Sequence, residues 1–273
     1  MNVKYTLTST YFSSLLLGLY LATVANLAHA GWLDHEKWDE GLAEVCLYEG
    51  KQMKYGKLRS TSVDLITVRE QFNPSKLVKT DPKPEALPVM KQNLIRRTRT
   101  GVYEYLQMGS SFVDRRSGQL LKISSTSAEW CGNSHATITL NGDGYDCRIA
   151  NYFNDQGIVD ARIDRVDLFE DQLLMHLRQN LPTLNVGQKF NLIKTLVTNK
   201  PVLAYETVVI EAIKGSKLTL AFPAHTETFE FDSDELRALK KWSNSNGEYL
   251  KRRKKMFSDY WNKNTSGDER LLR

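Results

Sequence analysis

Cysteine is scarce in this chain: Cys46, Cys131 and Cys147 are the three among 273 residues. That number excludes a disulfide framework and leaves an odd thiol even if one bridge forms. No HExxH, paired CxxC or twelve-residue calcium loop occurs, and the five histidines (His29, His35, His135, His176, His225) stand apart, so neither a metal nor a cofactor is expected. GxSxG and phosphate-loop motifs are missing as well, which removes two common hydrolase and nucleotide signatures. Beyond residue 30 no apolar run reaches the roughly 20 residues of a membrane-spanning helix. Charge of either sign is hardly in excess, with 37 Lys and Arg against 32 Asp and Glu, a net of +5. Nucleic-acid binders concentrate far more, so no nucleic-acid partner is expected.

What the chain does have begins with a leader. Lys4, the apolar run Tyr11 to Ala22 and the small-residue site Ala28-His29-Ala30 follow in the order of a secretory signal peptide. The apolar run breaks at Thr23 and Asn26 before it reaches spanning length. The expectation is a signal peptide over 1–30 and an extracytoplasmic domain over 31–273, periplasmic or secreted.

Period-2 alternation dominates that domain. Ala43, Val45 and Leu47 alternate with Glu44, Cys46 and Tyr48, and Tyr55-Gly56-Lys57 turns the chain into a second strand from Ser62 to Glu70. Asn73 to Pro88 holds four prolines and predicts a long loop, since proline cannot donate to a strand ladder. Strands resume at 89–99, 102–108 and 120–130. A hairpin over Ala136 to Ala150 turns at Asn141-Gly142-Asp143-Gly144. Its register sets Cys147 against Ile138 and disfavours a Cys131–Cys147 bridge, which favours Cys46 as a member of any disulfide. A change of period near 155–165 marks an internal division. Leu168, Leu174, Leu177 and Leu181 then recur at helical spacing from Val166 to Leu181, with Asp167 and Asp171 in the first turn and Pro182 as the stop. Strands return at 189–198, 202–213, 217–222 and 226–231. From Gly247 to Asn262, the residues Tyr249, Leu250, Met256, Phe257, Tyr260 and Trp261 favour an amphipathic helix over a hairpin strand turned at Asn246-Gly247. The fold class is therefore mainly β (α+β): a curved antiparallel sheet or open barrel with one crossing helix and a C-terminal helix or hairpin.

Three sets of residues could carry function. Cys131 could supply a thiolate if His135 lay within reach and Glu129 or Asp146 oriented the imidazole. The bland alternative is a small hydrophobe beside a packed tryptophan. Aromatic residues Tyr48, Tyr103, Tyr105, Trp130 and Tyr205 sit at strand positions that could line a concave face. Arg96, Arg97 and Arg99, with Lys251, Arg252, Arg253, Lys254 and Lys255, form basic runs beside aromatics that could meet an anionic membrane surface.

The leader, Tyr55-Gly56, Glu129-Trp130-Cys131-Gly132, Asp259-Tyr260-Trp261-Asn262 and Gly267-Asp268-Glu269 together resemble a group of exported bacterial proteins without assigned chemistry. Some of these carry the label septum formation inhibitor Maf. Maf pyrophosphatases open with Ser-x-Arg after a first strand, where this chain has its leader. The hairpins and crossing helix also look like the half-barrels of periplasmic lipoprotein carriers, and that resemblance implies an apolar groove. The leading expectation is a noncatalytic periplasmic binding or carrier protein for an apolar or amphiphilic envelope component. The alternatives are a hydrolase or transferase using Cys131 and His135, and an envelope assembly factor that binds its partner through the proline loop. Intact mass and N-terminal sequencing of the exported protein should place its first residue at Gly31; an intact Met1 would contradict the leader.

Overall fold

The structure, a computed structural model, describes residues 31–272 except 154, 156 and 165. The leader and its cleavage site lie outside the described residues. The unit from Trp32 onward is built on antiparallel hairpins whose turns are written in the sequence. Strands β1 (Ala43–Lys54) and β2 (Lys57–Asn73) are joined by Tyr55 and Gly56 alone. Both turn residues have positive φ, 51° and 69°, which is the type I′ geometry that matches strand twist. A two-residue strand, β3 (Val78–Lys79), pairs with the end of β2. The meander continues through β4 (Leu87–Arg99), β5 (Glu104–Asp114), β6 (Leu120–Glu129), β7 (Gly132–Asn141), β8 (Gly144–Asn151) and β9 (Gly157–Ile163).

After β9 come the short β10 (Leu168–Phe169), a 3-10 turn over Glu170–Gln172, and helix α1 (Leu173–Asn180). Strands β11 (Lys189–Ile193), β12 (Tyr205–Lys214), β13 (Lys217–Ala221), β14 (Thr226–Phe231), β15 (Leu239–Asn244) and β16 (Tyr249–Ser258) complete the sheet. Strand β16 lies beside β1, so all sixteen strands among the described residues form one sheet, with β10 and β9 at the ends of its order. Every pairing is antiparallel except β10 with β11. The sheet curls until its two ends share an apolar cluster: Cys147 and Ile149 of β8 and Ile163 of β9 with Phe169 of β10 and Ile193 of β11. A mainly β fold with a curved sheet and one crossing helix is what the alternation predicts.

Helix α1 is enclosed by the curl. Leu173 and Leu177 pack with the inner residues of β1, β2 and β11 to β15, while Met175 joins the cluster of β4 to β9. The outer face is covered where it is apolar. Leu77 of the proline loop closes over Phe72, Val89 and Leu121, and Tyr260 and Met256 cover Val45 and Leu47. The proline loop is thus anchored on its own sheet, with Pro82 and Pro84 exposed.

Several expectations are corrected. The tail is a strand from Tyr249 to Ser258 and not a helix. The register with β1 steps from Leu47 opposite Lys254 to Tyr48 opposite Arg252, so the strand bulges at Arg253. Leu250 and Phe257 are seven residues apart, a helical spacing that would put them on opposite faces of a regular strand. The bulge residue returns both to the apolar interior, where they join the two main clusters. Trp261 follows in a 3-10 turn and is exposed. The central helix is shorter than its periodicity suggests, because Leu168 and Phe169 pair with β11 as a strand. Asp167 and Asp171 consequently cap no helix; Asp167 accepts from the Asn191 N–H at 2.8 Å. All three cysteines are free, including Cys46, which is buried among leucines and valines. Cys147 does face Ile138.

One buried ion pair ties these parts together. Arg178 of α1 donates to both oxygens of Glu44 on β1 at 2.8 and 3.0 Å, and the two side chains are 0% and 1% exposed. Its Nε and a second terminal N–H reach the Leu236 carbonyl, and its guanidinium lies 4.4 Å from the Trp32 ring centroid. Removing one partner of such a pair leaves an uncompensated buried charge, at a cost of about 3–5 kcal/mol. Glu44→Ala should therefore lower stability by about that amount in urea unfolding followed by tryptophan fluorescence. The double variant Glu44→Leu with Arg178→Met should recover most of the loss.

Candidate functional site

Alternation on the inner strand faces leaves a cavity of about 380 Å³ beside α1. Val63 and Leu65 of β2, Leu94 of β4, Leu173 and Leu174 of α1 and Phe229 of β14 give it apolar walls. The 194–204 segment packs closely on β5, where a Cβ on Gly109 would lie 2.3 Å from Val197 Cγ2. Lys51, Asn244 and Asn246 line the cavity at the end that carries the β1–β2 and β15–β16 turns. A volume in this range, mostly apolar with a few placed polar groups, is typical of small-molecule sites.

The polar groups come from three places. Glu170 and Asp171 are set by the 3-10 turn before α1 and held by the chain that follows β11. Glu170 accepts from the Thr195 N–H at 2.9 Å, while Asp171 accepts from the Thr195 hydroxyl at 2.9 Å and the Leu196 N–H at 2.8 Å. Glu227 of β14 accepts from Trp242 Nε1 at 2.9 Å and pairs with His225 Nε2 at 3.0 Å. Arg96 enters from β4, on the same strand face as Gln92 and Leu94.

Burial sets the electrostatics here. It pushes the Glu170 carboxyl up to about 7, with the Glu227 and Asp171 charges adding, against the Thr195 hydrogen bond and the Lys194 charge. The Asp171 carboxyl is raised for the same first reason, although its hydrogen bonds and Arg96 oppose the rise. Glu170 can therefore hold or release a proton near neutral pH inside an apolar chamber.

The residues singled out from sequence fall in different places. Cys131 is exposed in the β6–β7 turn, whereas His135 lies on β7 some three residues, roughly 10 Å, past the strand's start. The His135 Nε2 meets the Thr137 hydroxyl at 2.7 Å, and Glu129 accepts weakly from Asn199, so Cys131, His135 and Glu129 are not assembled into a relay. Of the aromatic set, Tyr103, Tyr105 and Trp130 gather at one rim, joined by Tyr55, whose hydroxyl bonds both tyrosines. Tyr48 is buried, with its hydroxyl donating to the Leu239 carbonyl at 2.7 Å, and Tyr205 is exposed on β12. None of the five is among the residues lining the cavity.

The basic runs divide too. Arg96, expected on a basic surface, instead lines the cavity, because alternation turns it inward while Arg97 pairs with Asp64 outside at 2.7 Å. Arg99 stays exposed near Glu104. Arg252 and Lys255 are committed to Asp232 at 2.6 and 2.9 Å, and Arg253 to Glu49 at 2.9 Å. Lys254 donates to the Leu271 carbonyl, and Lys251 is exposed. Among the described residues no group of three or more His, Cys, Asp or Glu side chains could hold a metal ion.

Glu170, Asp171, His225, Glu227 and Trp242 were not singled out from sequence. A signal did exist for one of them. In β14 the alternation Glu227, Phe229, Phe231 puts a carboxylate on an otherwise apolar face, as Arg96 sits in line with Met90 and Leu94 in β4.

No protein-family model matches the chain, and no curated protein matches it. The resemblance to exported proteins labelled Maf gains no support from either comparison. Among solved structures, the chain is similar to a β-barrel-like protein of the domain of unknown function DUF1849 from Brucella abortus. The TM-score is 0.49 and the identity 8%, over 80% of this chain and 98% of the other.

The raised Glu170 carboxyl has a consequence for stability. Between its unfolded value near 4.5 and the folded value of about 7 the folded protein binds the extra proton, so stability falls as pH rises through that window. Glu170→Gln should melt higher than wild type at pH 8 and fall less in Tm between pH 5 and pH 8. Parallel melting curves at the two pH values check this.

Proposed function

We propose that the protein is an exported, noncatalytic binding or carrier protein whose inner cavity holds an amphiphilic component of the cell envelope. The observation that carries the reading is the cavity itself: apolar on most of its wall, with charged groups concentrated at few points. An acyl or isoprenoid chain would lie against Val63, Leu65, Leu94, Leu174 and Phe229, where removing apolar surface from water supplies the driving force. The leader supports an envelope location, and the mild charge supports a lipid-like ligand over a polyanion.

Leu94 is part of the cavity wall, so Leu94→Trp should fill the space without removing a hydrogen bond. Wild-type protein should enhance the fluorescence of N-phenyl-1-naphthylamine saturably, and Leu94→Trp should weaken that binding about tenfold or more with a cooperative melt preserved. No enhancement with wild type, or equal binding by a folded Leu94→Trp protein, would remove the reading.

A further inference from the structure

The charged groups around the cavity are not equally occupied. Both oxygens of Asp171 accept hydrogen bonds, and both oxygens of Glu227 are taken by His225 and Trp242. Glu248 accepts from the Met53 N–H at 2.7 Å and from Asn244 Nδ2 at 2.6 Å. Lys194 pairs with Glu206 at 3.1 Å. Among the lining cations the side chains of Arg96 and Lys51 make no hydrogen bond and no ion pair among the described residues; Lys51 is exposed, and Arg96 is the part-buried one, set inside the chamber. A guanidinium carries five N–H donors, and those of Arg96 are not among the buried unpartnered atoms, so they open onto space a ligand can reach.

A second cation stands near it. Lys54 likewise makes no ion pair or hydrogen bond among the described residues, and its ammonium lies 4.8 Å from the Tyr105 ring centroid. Burial, and after it repulsion from Arg96, hold the Lys54 ammonium below its ordinary value. Arg96 in the chamber lining and Lys54, two residues past the lining residue Gln52 on β1, are two cations with unmet donors and together form a recognition surface for negatively charged oxygens. The carboxylates that face Arg96 do not supply them. Asp171 and Glu248 are engaged elsewhere, Glu170 accepts from the Thr195 N–H, and among the described residues none of the three forms an ion pair with Arg96.

We infer that Arg96, assisted by Lys54, anchors the anionic head group of the cavity's ligand through carboxylate or phosphate oxygens, while its hydrocarbon chain occupies the apolar wall. This rests on the binding reading given above and adds the charge class of the ligand. Arg96 is suited to the task because its planar fork can donate two parallel hydrogen bonds to one carboxylate or phosphate group.

Isothermal titration with three probes of one chain length tests it: dodecanoate and monododecyl phosphate below their micelle concentrations, and dodecanol below its solubility limit. Wild type should bind at least one of the anions about tenfold or more tighter than dodecanol, the worth of a single charge-assisted hydrogen bond. The favoured anion separates a carboxylate source from a phosphate source. Arg96→Met should abolish the margin of the anions over dodecanol, and Arg96→Gln serves the same purpose if the methionine variant does not fold. Lys54→Met should reduce the margin in part. Dodecanol bound as tightly as both anions, or a margin that survives in the folded Arg96 variants, would overturn the anchor and leave the cavity reading standing. Failure of all three probes to bind would overturn both.

Discussion

The Glu44–Arg178 pair decides how the interior can be arranged. A guanidinium with no exposed surface must find acceptors, and here they come from β1 and from the Leu236 carbonyl, with Trp32 and Trp38 close to its plane. These contacts leave α1 little freedom to rotate or slide. With α1 fixed, the 3-10 turn before it is fixed, and with that turn the positions of Glu170 and Asp171. The chamber exists because the helix fills only part of the curl: Leu173 and Leu174 form part of its wall while Arg178, a turn further on, is sealed in protein. Replacing the pair by leucine and methionine could preserve stability, but nothing apolar would specify the rotation of the helix so narrowly.

The curl is completed by packing where the ladder ends. Strands β9 and β10 terminate the sheet order, and the apolar residues of β8, β9, β10 and β11 meet across the gap with Phe169 against Tyr145. Hydrogen bonds would impose a register on the closing strands, whereas side-chain packing tolerates small adjustments. The chamber therefore has one wall that is hydrogen-bonded and directional, from β2 to β5, and another formed by the helix and the 194–204 segment, which make fewer ladder contacts. The first wall carries Arg96. The second carries Glu170 and Asp171, held by the anchored helix and by the 195–196 backbone.

Much of the sheet was legible because its turns and alternation are local. Tyr55-Gly56 and the Ala136–Ala150 hairpin with Cys147 against Ile138 follow from spacing alone. The tail was misleading for a definable reason: one bulged residue, Arg253, shifts the phase of the alternation and imitates a helical period. The helix start was misread because Leu168 and Phe169 find a strand partner, β11, that lies twenty-odd residues ahead in the chain. The chamber was the least legible part. Its wall is assembled from β2, β4, β5, β14 and α1, and no local pattern says that Arg96 and Glu170 will face one space. The aromatics singled out at strand positions are real sheet residues, but alternation alone could not tell the core (Tyr48) from a rim (Tyr103, Trp130) or an exposed outer strand (Tyr205).

The pairing of β1 with β16 sets a schedule for folding. Ala43 lies opposite Ser258, so the first strand stays without its second neighbour until the end of the chain has been synthesised. The meander from β1 to β9 can form early, since each of its pairings is between near neighbours along the chain. The wall contributed by β14 to β16 arrives last, and closing so long a loop is entropically slow. A chain interrupted before residue 258 would expose an unsatisfied central edge on β1, where another chain could add in register. Completion of the C-terminal strand is thus the step that converts an adhesive half-sheet into a self-contained vessel.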